Sequence, residues 1–142
     1  MKNRTDGQAL VEFSLAFVVF SVLVFGVIDF GRGIYQYNAV SQAAREIARV
    51  TSVHPGTDFT TVAGRSAETN AVIDVQEKLV PGLVVAADAI ECVDSAGGVK
   101  ATCDFSKDSV RVTVTAPFKA ITPPMNVMSA WDMKGTSSVQ IQ

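Results

Sequence analysis

The chain has 142 residues, 48% hydrophobic and only 18% charged, with 12 basic against 14 acidic side chains and a net charge of −2. A soluble domain usually carries about 25% charged residues, so apolar content is concentrated somewhere in this chain, whose length suits one small domain with an appendage. The acidic balance excludes a nucleic-acid binder, which presents a basic face. One histidine and two cysteines fall short of a conventional zinc site.

The apolar excess lies at the start. Phe13 to Ile28 reads FSLAFVVFSVLVFGVI without a charge, and the block reaches back to Ala9 with Glu12 as its one interruption. As a helix this block is about 30 Å long, the thickness of a bilayer's hydrocarbon core. Lys2 and Arg4 precede it, while Asp29 and Arg32 follow and cancel. The positive-inside bias then predicts a cytoplasmic N-terminus with the remaining chain outside. Three readings compete: a cleaved secretory signal with Val24-Phe25-Gly26 as a weak cleavage point, a plain signal anchor, and a processed assembly helix. Glu12 separates them. A carboxylate among apolar membrane residues costs at least a few kcal/mol and calls for a partner, which neither of the first two readings supplies.

Beyond the apolar block, Ile34, Tyr37, Val40, Ala44, Ile47 and Val50 recur at steps of three and four. This predicts an amphipathic continuation of the helix to about Val53, ended by His54-Pro55-Gly56. Gly26, Gly31 and Gly33 weaken the helix where it leaves the apolar block. A second helix is expected from about Thr60 to Leu79, with Val62, Ala63, Ala67, Ala71, Val75 and Leu79 on its buried stripe and Pro81-Gly82 closing it. The period then changes. Leu83–Cys92 and Val99–Phe105 read as strands around the turn Asp94–Gly98. Val110, Val112 and Val114 alternate with Arg111, Thr113 and Thr115 in a half-buried third strand, after a turn at Lys107-Asp108. Pro123-Pro124 makes Ile121–Met133 irregular, with room for a helical turn at Met125–Trp131. Thr136–Gln142 is expected as the last strand. Phe118, Met125, Met128, Trp131 and Met133 are expected to close the core over the sheet.

The fold class that follows is α+β and pilin-like in outline. A long N-terminal helix packs its second half on a small antiparallel sheet of about four strands, with a second helix beside it.

Cys92 and Cys103 flank the proposed hairpin and fall on facing strands outside the cytoplasm, where disulfides persist. A bond between them is expected, with two buried free thiols as the alternative. No CxxC or nearby histidine suggests a catalytic dithiol. His54 precedes Pro-Gly and reads as an exposed loop residue. Asp58, Asp74, Asp88 and Asp94 are spread over different elements rather than clustered as calcium ligands. No GxSxG, HExxH or glycine-rich phosphate loop occurs.

Around Glu12 the residues are Gly7-Gln8-Ala9-Leu10-Val11-Glu12-Phe13. This resembles the type IV prepilin processing site: a short basic leader ending in glycine, then an apolar helix with glutamate at its fifth position and an aromatic next. With Ile28-Asp29-Phe30-Gly31-Arg32, Tyr35, Tyr37-Asn38-Ala39-Val40 and Ala43–Arg49, the chain resembles the TadE-like family over residues 7–50. These are the minor pilins (pseudopilins) of tight-adherence, or Tad/Flp, type IV pili. The resemblance implies cleavage between Gly7 and Gln8 by a prepilin peptidase, with Phe13 completing the motif. It implies that Glu12 is compensated by the α-ammonium group of a neighbouring subunit. The implied role is structural and not enzymatic, with no cofactor and no metal. The implied partners are other major and minor pilins, met through the N-terminal helix, and the inner-membrane pilus assembly platform. The organisation expected is a leader at 1–7, a transmembrane assembly helix at 8–29, and an extracytoplasmic head at 30–142. The place is the bacterial inner membrane, or outside the cell in the pilus. The alternative is a single-pass membrane-anchored periplasmic binding domain that never enters a fibre.

Overall fold

In the computed structural model of the chain, the apolar block and the amphipathic stretch after it form one helix, α1, Arg4–Val53. The structure describes residues 4–59, 61–100, 103–104, 107–122 and 131–141. Gly26, Gly31 and Gly33 do not interrupt α1, since isolated glycines each cost a helix only about 1 kcal/mol relative to alanine. The helix closes where proline forbids its continuation: the His54 N–H donates to the Val50 carbonyl at 2.9 Å, and Pro55 follows. The fold class is α+β, with α1, a second helix and a four-stranded antiparallel sheet. The chain divides into two units, residues 1–34 with 119–130, and residues 35–118 with 131–142.

The second unit holds the sheet. Its strands are β1 (Ile90–Val93), β2 (Val99–Lys100), β3 (Ser109–Phe118) and β4 (Trp131–Gln140), in the order β2-β1-β3-β4. β3 is the centre because its valines alternate. Val110, Val112, Val114 and Ala116 are buried on one face, while Arg111, Thr113 and Thr115 are half-buried on the other. Ile90 and Cys92 of β1 sit opposite Val112 and Val110, and Val139 and Gly135 of β4 sit opposite Val110 and Val114. The β1–β2 turn is built by Asp94, whose carboxylate accepts the N–H groups of Ala96 and Gly98 at 2.9 and 2.8 Å. Gly97 supplies the left-handed residue there, with φ at 88°.

The core forms between the buried face of β3 and the helix residues Val40, Ala43, Ala44, Ile47 and Ala48, with Phe59, Ile73, Leu83, Ile90 and Ile141 around them. The buried stripe of α1 therefore begins at Val40; Ile34 and Tyr37, expected on it, are exposed, and Val50 is half-buried. Small side chains on α1 and a glycine on β4 let helix and sheet approach closely. A Cβ added at Gly135 would lie 2.7 Å from the Val40 carbonyl oxygen.

Several local expectations are corrected. The second helix, α2, spans Ala67–Leu79 and not Thr60–Leu79, because Ser66 caps it: the Ser66 hydroxyl accepts the Thr69 N–H at 3.1 Å. A separate 3₁₀ turn occupies Val62–Gly64. The buried side of α2 is Thr69 and Ile73, whereas Ala67, Ala71, Val75 and Leu79 are exposed. A hydroxyl contact sets that rotation, since Thr69 Oγ1 donates to Thr51 Oγ1 on α1 at 3.3 Å, and hydrophobic periodicity is blind to it.

The strand expected over Leu83–Cys92 begins only at Ile90. Before it, Val84 forms an isolated bridge to Thr115, and Ala86–Ala89 makes a turn. The Ala86 and Ala87 carbonyls are taken by the buried Arg65, whose Nη2 donates to them at 2.9 and 2.7 Å, so they are lost to a ladder. Of the strand expected over Val99–Phe105, Val99–Lys100 is strand and Cys103-Asp104 is not; the rest lies outside the described residues.

β4 starts at Trp131, five residues before the expected Thr136, because β3 offers pairing edge as far as Phe118, which faces Trp131. The helical turn expected at Met125–Trp131 otherwise lies outside the described residues, as do Met125 and Met128. Phe118 is buried, but Trp131 is half-exposed and does not close the core.

Candidate functional site

The first unit carries the residues singled out for assembly. Large apolar side chains from Leu10 to Ile28 stand between 40% and 72% exposed, an oily surface on one helix with Glu12 as its one charge. Its two serines are satisfied within the helix. Ser14 donates to the Leu10 carbonyl at 2.7 Å and Ser21 to the Phe17 carbonyl at 2.8 Å, so neither needs water. The helix is long and apolar enough to cross a membrane.

Gly7 and Gln8 lie in the first turns of α1, both exposed. Glu12 follows one turn later, also exposed, and among the described residues nothing within the chain pairs with it. Phe13 stacks on Phe17 with ring centroids 6.1 Å apart. Gly7, Gln8, Glu12 and Phe13 thus share one end of the apolar surface. Cys92 and Cys103 belong to the second unit.

A second carboxylate on the same helix has a full set of partners. Asp29 is buried and accepts the Ile121 N–H at 2.9 Å, the Thr122 N–H at 2.7 Å and the Thr122 hydroxyl; Arg32 Nη1 sits 3.0 Å away. Charge bookkeeping along the sequence had only cancelled Asp29 against Arg32. The visible signal was an acid placed directly after the last apolar residue, but its partners lie 92 and 93 positions downstream, beyond any local pattern. Thr122 also lines a groove with Phe17, Val18, Ser21, Val22 and Phe25.

In the second unit a disulfide joins Cys92 and Cys103, with Cα atoms 5.6 Å apart. The two are not cross-strand neighbours, as the hairpin reading expected: Cys92 faces Lys100 on β2, and Cys103 lies past the end of that strand. The chain after Cys103 is pinned by Asp108, expected only as a turn residue. Its buried carboxylate accepts the Asp104 N–H at 2.7 Å and the Lys100 ammonium at 3.2 Å. The Asp104 N–H, helped by Lys100, holds the Asp108 carboxyl below the usual carboxylate range, and Asp108 in turn pushes the Lys100 ammonium up. Burial pulls the Arg65 guanidinium down. These groups are tied into the structure of the second unit. Among the described residues no three His, Cys, Asp or Glu side chains converge, and His54 is exposed on the loop after α1.

The apolar surface, the unpaired acid and the sequence around them find a counterpart among known families. Residues 7–49 match the family model described as TadE-like protein, a structural family associated with tight-adherence pili. No curated protein and no solved structure matches the chain. These 43 residues, which carry the apolar helix, Glu12 and Asp29, are what the chain shares with the TadE-like family.

Proposed function

We propose that the chain is a minor pilin, or pseudopilin, of a Tad-type type IV pilus. A prepilin peptidase cuts it between Gly7 and Gln8 on the cytoplasmic face of the inner membrane. Residues 8–29 hold it in the bilayer, residues 30–142 stand outside, and the helix then joins other pilins on the inner-membrane assembly platform. The observation that carries this reading is Glu12: an exposed carboxylate, without a partner among the described residues, one turn into an apolar helix whose surface is bare. Such a charge is stable in lipid only when something outside the chain compensates it. A neighbouring subunit's freshly cut α-ammonium group supplies a positive charge at the right depth when helices stagger in a bundle. The exposed apolar row Ala67, Ala71, Val75 and Leu79 on α2 gives the head a surface for a partner.

The intact mass of the protein extracted from membranes, with and without the peptidase, tests the proposal. The seven-residue leader Met1–Gly7 accounts for roughly 0.8 kDa. Its loss only when the peptidase is present supports the pilin route. A full-length mass in both strains leaves an anchored binding domain, and a start near Val27 leaves a secreted one.

A further inference from the structure

We propose that Ile121-Thr122 is a second membrane-contacting element, a short wedge held in the lipid interface beside the outer end of the spanning helix. The inference rests on the membrane-spanning reading of α1 given above. Asp29 immediately follows Ile28, the last residue of the apolar block, so it marks the depth at which the helix leaves the hydrocarbon. Its carboxylate binds the backbone of Ile121 and Thr122, which fixes those two residues at the same depth. Thr122 faces a groove whose other walls, Phe17 to Phe25, belong to the apolar block itself. Ile121, in contrast, turns its side chain outward and is 57% exposed.

Backbone chemistry decides what can lie at such a depth. An N–H without a partner is costly in lipid, so non-helical chain is excluded from it unless its polar groups are satisfied. Here the N–H groups of Ile121 and Thr122 are both given to Asp29, and the Thr122 hydroxyl goes to the same carboxylate. The next two residues are Pro123 and Pro124, which have no N–H to satisfy. Ile121 and Thr122 therefore present no unmet donor, and the sequence that follows them adds none at its two prolines. The sequence around them agrees. Ala120 to Trp131 contains no charged residue, and Lys119 just before it can keep its ammonium among headgroups while its stem lies on apolar surface. The chemistry fits a phospholipid surface, continuous with the lipid that covers α1.

Single-tryptophan reporters test this in the full chain. Trp131 is the only tryptophan, so Trp131→Phe gives a blank background. Three exposed positions then receive tryptophan one at a time: Ile121→Trp as the test, Val18→Trp in the apolar block, and Val99→Trp on β2. Each protein is placed in phosphatidylcholine–phosphatidylglycerol nanodiscs with and without brominated phosphatidylcholine. Ile121→Trp is expected to lose about half or more of its emission to the brominated lipid, like Val18→Trp, while Val99→Trp stays nearly unchanged. Adding Asp29→Ala to the Ile121→Trp protein should largely restore the emission. Quenching of Val18→Trp without quenching of Ile121→Trp overturns the wedge and leaves the spanning helix standing; residue 121 then faces water or another protein. No quenching of Val18→Trp overturns the spanning reading, and the wedge falls with it.

Discussion

Replacing Gly135 by alanine tests how closely α1 lies on the sheet, and the sign of the effect carries the answer. Gly135 faces the buried Val114 across the β3–β4 ladder and has α1 above it. An added Cβ would stand 2.7 Å from the Val40 carbonyl oxygen, 2.9 Å from its carbon and 3.0 Å from Val40 Cγ1. Two of these atoms are helix backbone and cannot swing aside as a side-chain tip would. Overpacking of this kind costs about 1–3 kcal/mol. Without the close approach, the same substitution would stabilise by about 0.4–1 kcal/mol, because glycine is the looser residue in the unfolded chain. The unit concerned spans residues 35–118 and 131–142, a size at which 1 kcal/mol moves Tm by about 4–8 °C. Gly135→Ala is therefore expected to lower Tm by about 5–20 °C, read by near-ultraviolet circular dichroism in detergent. Gly135→Val should lower it further. An unchanged or raised Tm for Gly135→Ala refutes the packing distance and the role of glycine in it.

Three other outcomes follow from the same structure. Reducing Cys92–Cys103, eleven positions apart, opens a short loop and should cost about 3 kcal/mol in the chain-entropy account; equal denaturant midpoints for reduced and oxidised protein would contradict it. Asp108 titrates lower in the folded chain than in the unfolded one, so its contribution is complete above the unfolded value, about 3.9, and fades as pH falls through the lower folded value. Asp108→Asn should be less stable near neutral pH and show a shallower loss of stability below about pH 4; an unaltered acid limb would show that Asp108 does not drive it. Glu12→Ala should leave the protein in the membrane and cut by the peptidase while pilus assembly is impaired, and normal piliation with normal processing would remove the charge-pairing mechanism.

Features written in periodic side chains were legible in the sequence. The apolar block, the continuation of its helix to Val53 and the valine alternation of β3 each repeat over many residues, and each is found at its expected place. Features set by single polar contacts were not. Thr51 and Thr69 turn α2 so that Val75 and Leu79 face outward, though their spacing reads as a core stripe. Arg65 draws off two carbonyls and shortens β1. The start of β4 was hidden because Trp131-Asp132-Met133 lacks alternation and owes its strand form to the length of β3. In the candidate site the motif from Gly7 to Phe13 was readable because it is contiguous. The partners of Asp29 were not, since a carboxylate carries no mark of which distant N–H it will accept.

The contact between Val40 and Gly135 also sets a schedule. Ribosomes add roughly 5–20 residues per second, and 95 positions separate the two residues, so the helix waits about 5–20 s for its sheet partner. Over that interval Val40, Ala43, Ala44, Ile47 and Ala48 form an uncovered adhesive face that only the later strands can shield. Non-local pairing of this kind is also slow once the whole chain is available. The young chain is thus most exposed to wrong association before β3 and β4 arrive, and holding that one face is the natural task for any chaperone that attends it.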